Sequence, residues 1–236
     1  MKTVEYFGML TSLQETGMPF DVEMLINDPV PALSYIKEQH GSLDAFKCPS
    51  VVNHLKNTYY ITSPIDFTIE RIGDDHWRIK NNRAHTTSLK RYFHLQMPES
   101  QRVNDSICMN FGLQYYFVNN GDDITMEVID PPLCHLQLTN MCGEFNISKW
   151  FRPTNFTFFL DPSLNEVSFK RGQPLYAVRF RAGGNTVKLS RIDDLERRER
   201  LLYEQMRATT LKEFYPGLKL EQMYELFKTN MKRIFK

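Results

Sequence analysis

At 236 residues the chain has room for one large β domain with an appendage or for two small domains, and its 42% hydrophobic and 13% aromatic content excludes a chain dominated by disorder. Its 29 Lys and Arg stand against 28 Asp and Glu, a balance that argues against a general nucleic-acid binder, which needs a clear basic excess on one face. No window approaches the ~20 apolar residues of a membrane span, and the opening MKTVEYFGMLTSLQETGMPF has no apolar stretch of signal-peptide length, so the expectation is a soluble protein that no signal peptide exports.

Residues 1–56 read as irregular and helical cover. In PALSYIKEQHG, Pro31 stands at a first helical position and Gly41 just past the end, which predicts a short helix. A second helical turn is expected from Pro49 to Lys56, where Val51, Val52 and Leu55 fall at helical spacing. From Tyr59 the period changes to two. DFTIERI, the turn residues Gly73, Asp74 and Asp75, and HWRIK predict a hairpin. KRYFHLQM is a further strand, and QYYFVN, Asn120-Gly121 and DDITMEVI carry the strongest short-range hairpin signal in the chain. PLCHLQLT, FTFFL, EVSF, PLYAVRFR and TVKL bring the expected number of short strands to roughly eleven.

No helix of crossover length separates these strands, so the expected fold is mainly β, a sandwich or jelly-roll-like domain over residues 57–190. The aromatic run from Trp150 to Phe180 reads as three consecutive strands that build the sheet core. Residues 191–236 read as a C-terminal helical hairpin. Ser190 and Asp193 resemble a capping box, Leu195, Leu202 and Met206 make one apolar stripe, and Tyr215-Pro216-Gly217 stops the helix. Leu220, Met223, Phe227, Met231 and Ile234 make a second stripe. This segment holds eleven Lys or Arg against eight Asp or Glu, and its stripes must bury on the sheet, on each other or on another subunit.

The candidate chemistry begins with a repeated phrase, FHLQM at Phe93 to Met97 and CHLQL at Cys134 to Leu138. His94 with Gln96, and His135 with Gln137, are each two apart, so each pair leaves one face of a strand. Two such strands side by side would converge both imidazoles in a β cavity, and a third, carboxylate ligand would complete a site suited to a transition metal such as Fe. Against this, no His is followed two residues later by Asp or Glu, so the facial-triad signature is missing, and the simpler reading is a pair of sheet histidines with local hydrogen bonds.

The other motifs lead to plainer readings. Asp74-Asp75-His76 reads as turn chemistry. There is no Gly-x-Ser-x-Gly elbow, none of the four cysteines has neighbours in sequence that mark it as activated, and Gly172 and Gly183-Gly184 match no phosphate-loop fingerprint. Tyr115-Tyr116 and Phe158-Phe159 could offer stacking surfaces for sugars, and half-buried strands place one member of each pair outside in any case.

The phrases Phe169-Lys170-Arg171-Gly172-Gln173-Pro174-Leu175, Cys48-Pro49 and Tyr60-Ile61-Thr62-Ser63-Pro64-Ile65-Asp66 resemble a group of uncharacterised proteins encoded by large tailed bacteriophages and some bacteria. The resemblance covers about residues 48–180, implies a phage or bacterial β-protein, and brings no activity, ligand or catalytic residue with it. Together these readings predict a non-enzymatic, phage-encoded binding or assembly protein without a cofactor, in the host cytoplasm or a virion. Its expected partner is a protein or a second copy of the chain, met through residues 191–236. The alternative is a jelly-roll metal-dependent enzyme or sensor using His94 and His135.

Overall fold

The computed structural model describes residues 1–10, 26–41, 44–73, 77–80, 93–94, 106–119, 121, 123–134, 136–149, 151–161, 163–214, 217 and 222. The protein is mainly β, with fourteen strands and three α-helices among the described residues. In chain order these are β1 (Lys2–Leu10), β2 (Val30–Pro31), α1 (Ala32–His40), α2 (Pro49–Leu55), β3 (Thr58–Thr62), β4 (Phe67–Arg71) and β5 (Trp77–Lys80). There follow β6 (Phe93–His94), β7 (Ile107–Val118), β8 (Thr125–Ile129), β9 (Leu138–Asn140), β10 (Gly143–Asn146), β11 (Pro153–Leu160), β12 (Glu166–Phe169), β13 (Pro174–Arg181), β14 (Val187–Arg191) and α3 (Leu195–Phe214).

Three sheets share one core. The first runs β14-β1-β7-β11-β9 with β6 also on β7, the second β10-β8-β13-β3-β2, and the third β12-β4-β5. Along β7 the period of two sends Met109, Phe111, Leu113, Tyr115 and Phe117 into that core. Aromatic contacts then join the sheets. Phe117 meets Phe180 of the second sheet edge-on at 5.4 Å, Phe67 of the third stacks on Phe111 at 5.4 Å, and Phe156 reaches both Tyr176 at 5.8 Å and Phe169 at 6.3 Å.

The alternate residues of the same strands bury a second surface. Phe7, Tyr116 and Val118 form a cluster with Phe151, Ile192 and Leu201, so the outer face of the first sheet carries α3. Asp194 caps that helix by accepting the Arg197 N–H at 3.1 Å. Arg197 Nη1 donates to Glu5 of β1 at 2.8 Å, and the Tyr116 hydroxyl donates to Gln205 at 3.1 Å. The outer face of the second sheet is covered by α1 and α2, where Ala32, Ile36 and Leu55 meet Tyr60 and Ala177.

Between the two larger sheets runs a polar strap. Asn27 donates to Thr62 Oγ1 at 3.0 Å and to the Ser63 carbonyl at 3.1 Å, and its own carbonyl accepts the Tyr115 hydroxyl. Gly8 makes room for it, since a Cβ there would stand 2.4 Å from Ile26 Cγ2. Next to the strap, Thr154 and Tyr176 share a buried hydrogen bond of 2.9 Å.

Several expectations are corrected. Residues 2–10 are a strand, not irregular cover, and β1 sits inside the first sheet, parallel to β14 and antiparallel to β7. The Asn120-Gly121 signal does not close a hairpin: β1 and β11 already occupy both edges of β7, and the chain crosses there to the second sheet, where β8 pairs with β10 and β13. The aromatic run does contain three strands, yet β11, β12 and β13 each belong to a different sheet. Cys134, Leu136 and Gln137 precede the short β9. Of KRYFHLQM, Phe93–His94 form β6 and the other residues lie outside the described residues. Ser190 lies in β14, so the helix cap is Asp194, four residues later. The DFTIERI and HWRIK strands do pair, as β4 and β5, and both N-terminal helices form where the spacing places them. The second C-terminal helix, with Leu220, Met223, Phe227, Met231 and Ile234, lies outside the described residues.

The buried tyrosines set an alkaline limit. Burial pushes the hydroxyls of Tyr6, Tyr60, Tyr115, Tyr116 and Tyr176 far above the ordinary tyrosine value, and the Asp28 side chain adds to the effect at Tyr6. Each holds its proton more tightly folded than unfolded, so its contribution is intact below about pH 10 and falls above it, by ~1.4 kcal/mol per pH unit for each tyrosine. We expect urea midpoints to drop steeply above pH 10, with the ring resonances of these five tyrosines shifting to tyrosinate positions only as the protein unfolds. Tyrosinate resonances from these five in folded protein at pH 10 would contradict this.

Candidate functional site

Of the four residues singled out for a metal site, the His94 backbone and Gln137 lie among the described residues. His94 is on β6, paired with Asn110 of β7, whereas Gln137 precedes β9, which pairs with β11. Two strands, β7 and β11, stand between β6 and β9, a separation of about 14 Å at ~4.8 Å per strand. The strands β6 and β9 are therefore not neighbours. Gln96, His135 and the His94 side chain lie outside the described residues. No group of three or more His, Cys, Asp or Glu placed to hold a metal occurs among the described residues. Gln137 lines a cavity of about 630 Å³ with Ser106, Leu138, Thr139, Phe159 and Asp161. Phe159 is the outward member of the Phe158-Phe159 pair, its neighbour Phe158 being fully buried.

A more charged site lies on the outer face of the second sheet, where the cover given by α2 runs out. The strand period that sends Val178 and Phe180 of β13 into the core turns Ala177, Arg179 and Arg181 outward. Ala177 is roofed by the helices, and the two arginines lie beyond their edge. Directly opposite Arg179, on β8, is Glu127, a carboxylate only 6% exposed. Arg179 donates to Glu127 Oε2 through Nε at 2.7 Å and through Nη2 at 2.6 Å, and its Nη1 lies 3.4 Å from His54 Nδ1. Arg181, 65% exposed, makes an ion pair with the other carboxylate oxygen.

Lys56 closes the opposite side, donating to the Gly184 carbonyl at 3.0 Å. The Gly183-Gly184 turn takes φ values of 59° and 82°, a left-handed conformation that glycine adopts without strain, and it presents no side chains to the space beside it. Asn57, itself at φ 59°, clamps that turn. Its Nδ2 donates to the Asn185 carbonyl at 2.8 Å, its Oδ1 accepts the Val187 N–H at 2.8 Å, and its backbone carbonyl accepts the Phe180 N–H at 3.0 Å. The result is a cleft of about 350 Å³ lined by Asn53, Lys56, Arg179, Arg181 and the two glycines.

Gly183-Gly184 reads as a turn, which it is, and nothing local in the sequence joins it to Lys56, whose contact with Gly184 spans 128 residues. The only local signal was the outward alternation of Arg179 and Arg181 in PLYAVRFR. Cys48 is a second departure: the exposed thiol is held below the ordinary cysteine value by a hydrogen bond with the Ser50 hydroxyl and by the backbone of Val51 and Ser50.

The Glu127 pairing has a measurable consequence. Removing one partner leaves an uncompensated buried charge, so Glu127→Ala and Arg179→Ala should each cost about 3 kcal/mol in urea unfolding. Arg181→Ala should cost under ~1 kcal/mol because its guanidinium is largely solvated. A loss at position 181 equal to that at 179 would show that the two arginines share the carboxylate evenly. Comparison of the chain with protein-family models, with curated proteins and with solved structures finds no match.

Proposed function

We propose that this chain is a non-enzymatic assembly protein that associates with a second copy of itself through residues 191–236, phage-encoded as its short sequence phrases suggest, acting in the host cytoplasm or in a virion. In this reading its two larger sheets form a sandwich that serves as the scaffold for α3.

The observation that carries the proposal is the orientation of α3. At about 100° per residue, Leu195, Leu202 and Met206 fall within roughly 40° of one another, and Tyr203 widens that arc to about 100°. Leu201, the fully buried residue among the helix's described side chains, points about 120° away from Leu195. The apolar stripe is therefore rotated off the sheet: Leu195 is 64%, Tyr203 61% and Met206 58% exposed, with Leu202 half-buried at the border. Large apolar side chains clustered in this way on a charged helix favour an interface. The helix carries five Lys or Arg and four Asp or Glu along its 20 residues, so two copies meet without net repulsion.

Light scattering of the purified full chain tests this. The wild-type protein should show a concentration-dependent dimer or higher assembly, and Tyr203→Glu with Met206→Glu should run as a monomer whose unfolding midpoint is within ~0.5 kcal/mol of wild type. A wild-type chain that stays monomeric at concentrations where the double variant does too removes the assembly role.

A further inference from the structure

We propose that the cleft between the end of α2 and the Gly183-Gly184 turn is a binding site for a small phosphate-bearing anion. The charge count comes first. Lys56, Arg179 and Arg181 line the cleft against one carboxylate, Glu127, which leaves two positive charges. Arg179 meets Glu127 Oε2 with two N–H groups and Arg181 pairs with Oε1, so the two guanidiniums share one negative charge and keep one positive charge between them. Lys56 supplies the second on the other side of the opening, since its bond to a backbone carbonyl leaves its charge unneutralised.

Shape and rigidity point the same way. The 350 Å³ cleft is at the small end of ligand sites, room for a phosphate with a compact organic group. The glycine wall lets an anion approach the backbone, and the Asn57 clamp and the Arg179–Glu127 pair fix the geometry before any ligand arrives. A guanidinium offers paired N–H groups suited to phosphate oxygens, and two surplus charges match a dianion better than a single carboxylate. A nucleic-acid backbone fits less well, because the cations do not continue across the face: the residue paired with Glu127 on the far side from Arg179 is Glu144, exposed and of the wrong sign.

Titration by calorimetry and by amide chemical shifts provides the test, with inorganic phosphate and ribose 5-phosphate as probes and acetate as the monoanion control. Phosphate should bind one-to-one in about the millimolar range, with shifts centred on residues 53–57 and 179–185. Arg181→Gln and Lys56→Gln, both at exposed positions and each verified as folded by its amide spectrum, should each weaken it by roughly tenfold, while Lys149→Gln, on the exposed surface elsewhere, leaves it unchanged. Tighter binding of ribose 5-phosphate than of phosphate would identify a phosphorylated small molecule as the ligand, and equal binding would identify free phosphate. Absence of saturation by either probe, or affinity unaltered in both Arg181→Gln and Lys56→Gln, overturns the proposal.

Discussion

The structure depends on β7 being buried on both faces. Its inner residues, Met109 through Phe117 at every second position, contribute to the one core that all three sheets share. The intervening Tyr116 and Val118 form the floor on which α3 lies, with the Tyr116 ring stacked on Phe7 at 4.8 Å. A strand loaded this way cannot be an edge, and it is not: β1 and β11 hydrogen-bond to its two sides. Each fully buried aromatic ring along it contributes on the order of 2–3 kcal/mol of transfer free energy, so the strand commits both the sheet packing and the helix docking at once. Single-residue register slippage would exchange the two faces and disrupt both.

Because β7 has no vacant edge, the chain that leaves it must join another sheet, and this pattern repeats. From β7 onward the path goes from the first sheet to the second, back to the first at β9, to the second at β10, to the first at β11, and then through the third and second before ending at β14 in the first. Each crossing needs a tight connection at the rim of the core. The last of them, from β13 to β14, is the Gly183-Gly184 turn, so the wall of the cleft is a by-product of the topology. Positive-φ glycines and the Asn57 clamp are what that crossing requires sterically, and the open space beside it follows from the absence of side chains.

Much of the strand content was legible, and little of the strand order. Period two identified β4, β5, β11 and β12 because each has one buried face and local alternation suffices to reveal it, whereas β13, buried on both faces from Pro174 to Val178, was visible as an apolar run. The first strand was hidden by Glu5 and Gly8, which break an apolar pattern in KTVEYFGML. Both make sense only in three dimensions: Glu5 faces Arg197 of α3, and Gly8 admits Ile26. The hairpin expected at Asn120-Gly121 failed for a related reason. A turn sequence states that the backbone can reverse, and the availability of an edge decides where it goes. The His-x-Gln repeat meets the same limit: similarity of two phrases carries no information about which strands lie between them, and β7 and β11 stand between β6 and β9.

The stripe on α3 makes the same distinction in helical form. Leu195, Leu202 and Met206 have the spacing of a buried face, yet the helix is held by a different set: Leu201 in the aromatic cluster, Arg197 on Glu5, Arg198 on the Ile192 carbonyl and Gln205 on Tyr116. Among the described side chains, Leu201 with Leu202 packed beside it and three polar anchors outweigh the outward Leu195 and Met206, because the anchors fit pockets that β1 and β7 have already built. Leu201 packs with Phe7, Tyr116 and Phe151, whereas Leu195 and Met206 stay exposed and join no buried cluster among the described residues. The rotation is thus dictated by the sheet, and it leaves the helix with a second apolar side that costs free energy to expose to water. That cost is what makes association through this side favourable, and the sheet that imposes it is the same one whose strand β7 organises the core.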